Sequence, residues 1–118
     1  MCSSDLQRIN TWYFRSHFNF SGDATNARLA FVPIVDDGAV VYLNGVELFR
    51  TNMPVTAVTY ATRANRVVAT ATFGPTITIF PTNLLSGDNV LAVEVHRATD
   101  PDTDVSFALD LQIGRAHV

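Results

Sequence analysis

Lysine is absent from this chain, and cysteine occurs once in its 118 residues, at position 2. The cationic side chains other than histidine are therefore all arginines. They are scattered along the chain rather than clustered, which argues against a nucleic-acid or anionic-membrane surface. A GC-rich coding sequence accounts for the missing lysines. Charged residues are sparse and the net charge is only -3, too weak a field to steer a polyanion or a polycation. A single cysteine forms no intrachain disulfide and no cysteine-based zinc cluster. No apolar run approaches the roughly 20 residues that a membrane-spanning helix needs. Also missing are a Gly-x-Ser-x-Gly elbow, a metalloprotease helix motif and a phosphate-binding loop. An acid/base pair of Asp36 or Asp37 with Glu94 is conceivable, but spacing along a chain says nothing about separation in space. We expect no enzyme.

What is present favours strands. Valine, threonine, isoleucine and phenylalanine dominate the hydrophobic residues, and 118 residues suffice for one domain with its own core. Thr11 to Phe20 alternates, with Trp12, Phe14, Ser16, Phe18 and Phe20 on one side and Tyr13, Arg15, His17 and Asn19 on the other. The first set is the expected inner face, with Trp12 in the core. A turn over residues 21–26 precedes a strand over 27–35, inward at Leu29, Phe31 and Val35, where Pro33 predicts an edge or a bulge. Asp36-Asp37-Gly38 leads into Ala39 to Leu43, and Asn44-Gly45, a pair that tolerates positive φ, predicts a tight hairpin back through Val46 to Arg50. Residues 51–75 read as a long connection with a short strand at 56–60. Residues 76–80 read as a strand, 81–85 as one helical turn and 86–89 as a tight turn. Val90 to Arg97 alternates, with Leu91, Val93 and Val95 inward and Ala92, Glu94 and His96 outward. An acidic loop over 98–104 leads to a closing strand over 105–111. Short strands at this spacing, with no helical periodicity, predict an all-β antiparallel sandwich or jelly roll.

Four segments in this order resemble a galactose-binding-domain-like jelly-roll module of secreted bacterial proteins. They are Trp12-Tyr13-Phe14-Arg15 with Phe18; residues 36–45 followed by Arg50-Thr51-Asn52-Met53-Pro54; residues 87–96; and Asp104-Val105-Ser106-Phe107. The resemblance implies a non-catalytic accessory module, extracellular or on the cell surface, that binds carbohydrate weakly. Its alternative is a structural spacer or docking module that packs against a neighbouring catalytic domain. It also implies a domain incomplete at its N-terminus, lacking a stretch with Trp and Gly-Tyr-Gly elements, and so an exposed strand edge or apolar patch. Met1 to Leu6 and Ile113 to Val118 resemble a short-read sequencing adapter translated in opposite orientations. The expected domain is then 7–112, with non-native tails at 1–6 and 113–118, and Cys2 falls in a tail.

The candidate ligand-binding residues are Tyr13, Arg15 and His17 on one strand and Glu94 and His96 on another. If those strands are neighbours, they make a polar, aromatic face on which a sugar stacks and Arg15 donates two hydrogen bonds. Against this stands an ordinary solvated sheet face with an Arg15–Glu94 ion pair of small worth. Arg50 and Asn52 are weaker candidates. Asp36 and Asp37 can serve a Ca²⁺ ion or sugar hydroxyls, but capping of a turn by side-chain hydrogen bonds is the simpler account. Asp100, Asp102 and Asp104 have the spacing that opens an EF-hand loop. Val105 replaces the glycine required at the sixth position and Leu111 the twelfth-position glutamate, which excludes an EF-hand. A looser Ca²⁺ site built on those three aspartates remains a candidate; no other cofactor is implied.

Overall fold

The fold follows from alternating strands and their turns. A computed structural model describes residues 10–68, 73–99 and 106–115. Seven strands form two antiparallel sheets: β1 (Thr11–Phe20), β2 (Ala27–Asp36), β3 (Gly38–Leu43), β4 (Val46–Thr51), β5 (Ile77–Ile79), β6 (Gly87–His96) and β7 (Ser106–Arg115). One sheet has the order β1-β6-β3-β4 and the other β5-β2-β7. Packed face to face they make a β-sandwich, an arrangement compatible with a jelly roll.

Asn44 and Gly45 both take positive φ, 50° and 87°, and turn β3 into β4 with Leu43 opposite Val46. The register then slips between Val41 and Tyr42, so that Leu48 is the extra residue of a bulge. Between the sheets, Leu29, Phe31 and Leu43 are fully buried with Leu84 and Ala27, and Phe49 packs on Phe31 with ring centroids 5.1 Å apart. A second cluster joins Ala39, Val41, Val93 and Val95. Each fully buried Leu, Phe or Val contributes about 1.5–3 kcal/mol.

Several expectations need correction. Residues 56–60 form no strand, and 81–85 bend without a helical turn. Both segments instead give backbone groups to side-chain partners described below. Pro33 lies in β2, the central strand of its sheet, rather than in an edge strand or bulge. Its carbonyl accepts from the Gly74 amide (2.8 Å), so its nitrogen faces the same side. The β2–β5 ladder covers only Leu29 to Phe31, and at Pro33 there is no rung for a missing N–H to break. Trp12 keeps its inward parity but is only half-buried, with the Arg97 guanidinium 5.9 Å from its ring centre. Phe14 remains 45% exposed. The last strand extends beyond residue 111 to Arg115, and Ile113 pairs with Leu29 and packs on the core; position 105 lies outside the described residues.

The outer face of the four-stranded sheet is divided. Val40 is on the outward parity of β3, yet it is fully buried under Met53 and Ala64 of the connection after β4. That connection folds back as a roof over one end of the sheet. Arg50 donates to the Pro54 and Thr56 carbonyls, and Asn52 to those of Asp37 (3.2 Å) and Arg66 (2.7 Å). Both Asp37 carboxylate oxygens accept backbone N–H groups, from Val68 (2.7 Å) and Ala98 (2.8 Å). Gly38 is needed because the roof lies so close. A Cβ there would stand 2.7 Å from the Asn52 carbonyl oxygen and 2.8 Å from the Ala64 Cβ.

Candidate functional site

The roof stops short of the other end of the sheet and leaves a groove there of about 460 Å³. Strands β1 and β6 are neighbours over ten pairs, which sets Tyr13 opposite Glu94 and Arg15 opposite Ala92. Tyr42 comes from β3, where it opposes Ala92 from the other side. Tyr13, Arg15, Tyr42, Ala92 and Glu94 therefore share one outward face, and all five line the groove.

Glu94 is its fixed centre. One carboxylate oxygen, Oε2, accepts the Tyr42 hydroxyl at 2.5 Å; the other, Oε1, meets His96 Nε2 at 2.8 Å. The Tyr42 phenol is pushed well above its ordinary range, first by burial and then by the hydrogen bond to Glu94, so it stays a neutral donor. Tyr13 is also raised, by lost hydration and then by the Glu94 charge, although the residue is 60% exposed. Arg15 makes no ion pair with Glu94; it stands opposite Ala92, while Tyr13 is the residue opposite Glu94. Among the described residues its guanidinium has no protein acceptor.

The other candidates lie elsewhere. His17 sits toward the far end of β1 in an exposed pair with Asp88 (3.0 Å) and does not line the groove. His96 is on the expected outward parity but is fully buried, because the roof covers it. It touches Glu94 rather than solvent. Arg50 forms a two-pronged pair with Glu47 (2.7 and 2.8 Å) and anchors the roof with Asn52. That pair holds the Glu47 carboxyl below its ordinary value and the Arg50 guanidinium above its own. Asp37 acts as a structural acceptor, with both oxygens taken by amides from distant loops rather than from its own turn. Asp100, Asp102 and Asp104 lie outside the described residues. Among the described residues no group of three or more His, Cys, Asp or Glu can hold a metal ion, and no helix is long and apolar enough to cross a membrane.

No family model, curated protein or solved structure matches this chain. Two residues that bear on the groove were not expected, Tyr42 in its lining and Tyr60 in contact with Tyr13. Tyr42 lies beside the hairpin turn, where its strand reads as core. Tyr60 belongs to the roof, and its ring stacks on Tyr13 with centroids 6.4 Å apart and planes 28° from parallel. A signal for the roof does exist: Ala39-Val40-Val41 is apolar on consecutive positions, as in a strand covered on both faces.

A second opening runs along the sandwich edge. On the side away from β6, no strand among the described residues pairs with β1, and β7 likewise has β2 alone. Phe14 and Phe107 stack across the gap with centroids 6.0 Å apart, above a cleft of about 330 Å³ lined also by Leu91, Val93 and Leu109.

Proposed function

We propose that this chain is a non-catalytic, galactose-binding-domain-like module of a secreted or cell-surface protein, and that its groove binds carbohydrate weakly. The observation that carries the reading is the make-up of the groove. An exposed tyrosine, Tyr13, stands beside a carboxylate held in place by Tyr42, with the Arg15 guanidinium, free of acceptors among the described residues, further along the same face. Sugars present apolar C–H faces and rings of hydroxyls, and they need this pairing of an aromatic platform with fixed acceptors and donors. Each Glu94 oxygen keeps a lone pair for a ligand hydroxyl, and Arg15 offers donors in a planar fork. A glycan array followed by isothermal titration tests the reading. Saturable binding that Tyr13→Ala and Arg15→Ala each weaken at least several-fold is expected. No binding to any glycan, or binding untouched by both substitutions, would overturn it.

The docking alternative rests on a different observation, the apolar cleft between β1 and β7. Its occupant would be an extended segment of a neighbouring domain. Such a segment would add to the unpaired side of β1 and place alternate apolar side chains beside Phe14 and Phe107. Phe107→Asp would abolish that docking and leave the groove's binding unchanged, since Phe107 lines the cleft and not the groove.

A further inference from the structure

His96 is fully buried and bridges two elements with one ring, and its proton count follows from the atoms it faces. Its Nδ1 lies 2.7 Å from the Thr62 carbonyl oxygen, which only accepts. Nδ1 also lies 3.0 Å from Thr11 Oγ1, whose single hydrogen is donated to the Tyr60 carbonyl at 2.6 Å. Nδ1 therefore carries a proton. Its Nε2 lies 2.8 Å from Glu94 Oε1. A bare Nε2 facing a bare carboxylate would set two lone pairs against each other at hydrogen-bonding distance, so a second proton sits on that line.

With both protons present the ring ties the Thr62 carbonyl to Glu94. With one proton the ring can satisfy only one of these two acceptors. Glu94 as a carboxylate is the stronger, because a charge-assisted hydrogen bond is about twice as strong as a neutral one. The remaining proton then moves to Nε2, and a bare Nδ1 faces the Thr62 oxygen. Asn10 Nδ2 still donates to the Thr62 carbonyl (2.8 Å) and to that of Tyr60 (2.9 Å), so the roof loosens rather than opens.

We propose that the proton shared by His96 and Glu94 latches the 59–64 segment of the roof, and with it the Tyr60 ring stacked on Tyr13 of the groove, so that the segment is firm while both His96 nitrogens carry protons and slackens when one is lost. This deepens the carbohydrate reading, since the Tyr60 ring braces the Tyr13 platform. Among the described residues the ionisable groups around the pair are Tyr42 from β3, Tyr13 from β1 with Tyr60 of the roof stacked on it, and Asp37, which accepts the Ala98 amide and precedes Gly38, the β3 partner of His96. Glu47 and Arg50 stand one strand further off on β4, and Arg63 and Arg97 are the cations adjacent in sequence to Thr62 and His96. His96 is a positioning residue here and touches no ligand.

The test needs no sugar, so the latch and the carbohydrate reading can fail separately. Long-range ¹H–¹⁵N spectra of the intact chain follow the His96 ring from acid to mildly alkaline pH, and hydrogen-exchange protection factors follow the Thr62 and Ala64 amides. Two protonated ring nitrogens at low pH are expected to give way to the Nε2–H tautomer, with protection at those amides falling roughly tenfold or more in the same step. In Glu94→Gln the side-chain amide can donate to a bare Nε2 and leave the Nδ1 proton on Thr62. The Nδ1–H tautomer and the protection then persist across the range. A wild-type ring that goes to Nδ1–H on deprotonation, or amides indifferent to the ring's titration, would overturn the proposal.

Discussion

Replacing Asn89 by alanine should cost roughly 2–4 kcal/mol of stability, far more than a surface asparagine is worth. Asn89 is completely buried at the start of β6 and uses both ends of its amide. Its oxygen accepts from the Leu85 amide (2.8 Å) and from Asn44 Nδ2 (2.9 Å), and its nitrogen donates to the Leu85 (2.8 Å) and Gly87 (3.1 Å) carbonyls. Asn44 in turn donates to the Asn83 carbonyl (2.9 Å) and accepts from the Val90 amide (2.9 Å). Three asparagines thus stitch the hairpin turn to the turn before β6. Four hydrogen bonds at about 1 kcal/mol each set the upper figure, and the lower one allows water to reach the orphaned Leu85 groups, since Leu85 is exposed. Urea denaturation measures it. With a slope of about 2 kcal/mol/M, the midpoint should fall by roughly 1–2 M at unchanged slope. Asn89→Asp keeps the two acceptor bonds but turns a carboxylate oxygen on two carbonyls, so it should be at least as damaging at neutral pH and partly recover in acid. A loss below about 0.5 kcal/mol in Asn89→Ala would refute the claim that this network locks the two turns.

Further expectations follow from the same contacts. Gly38→Ala should either destabilise the fold by roughly 1–3 kcal/mol, as overpacking does, or lift the roof and expose Val40, which thermal melts and exchange at the Asn65 amide distinguish. Absorbance titration of tyrosinate should show one phenol ionising well above the ordinary value of 10.0, and Tyr42→Phe should delete that step. Because the raised value belongs to the folded state, this contribution to stability is fully present below pH 10 and is lost as pH climbs through the folded value. Glu47 is lowered by its pair with Arg50, so its contribution is present above its ordinary value of 4.5 and lost as pH falls through the folded one. The pair is partly exposed, so Glu47→Gln should cost no more than about 1 kcal/mol in a denaturant titration.

Local periodicity and turn chemistry were readable from the residues alone. The strand bounds of β1, the Asn44-Gly45 turn, the inward sets of β1, β2 and β6 and the all-β class are all legible there, because a pleated strand alternates its side chains whatever it packs against. The pairing of Tyr13 with Glu94 was legible only as a condition, since parity places residues on a face and says nothing about which strands are neighbours. The tertiary structure alone decided which part of that face is open. A roof with no periodicity of its own is held by Asn10, Asp37, Arg50 and Asn52 through backbone groups far away in sequence. It buries His96 and brings in Tyr60, while Tyr13, Arg15 and Glu94 stay in the groove. Long-range hydrogen bonds of this kind leave no repeating pattern in the chain. A residue's parity was therefore readable, and its access to a ligand was not.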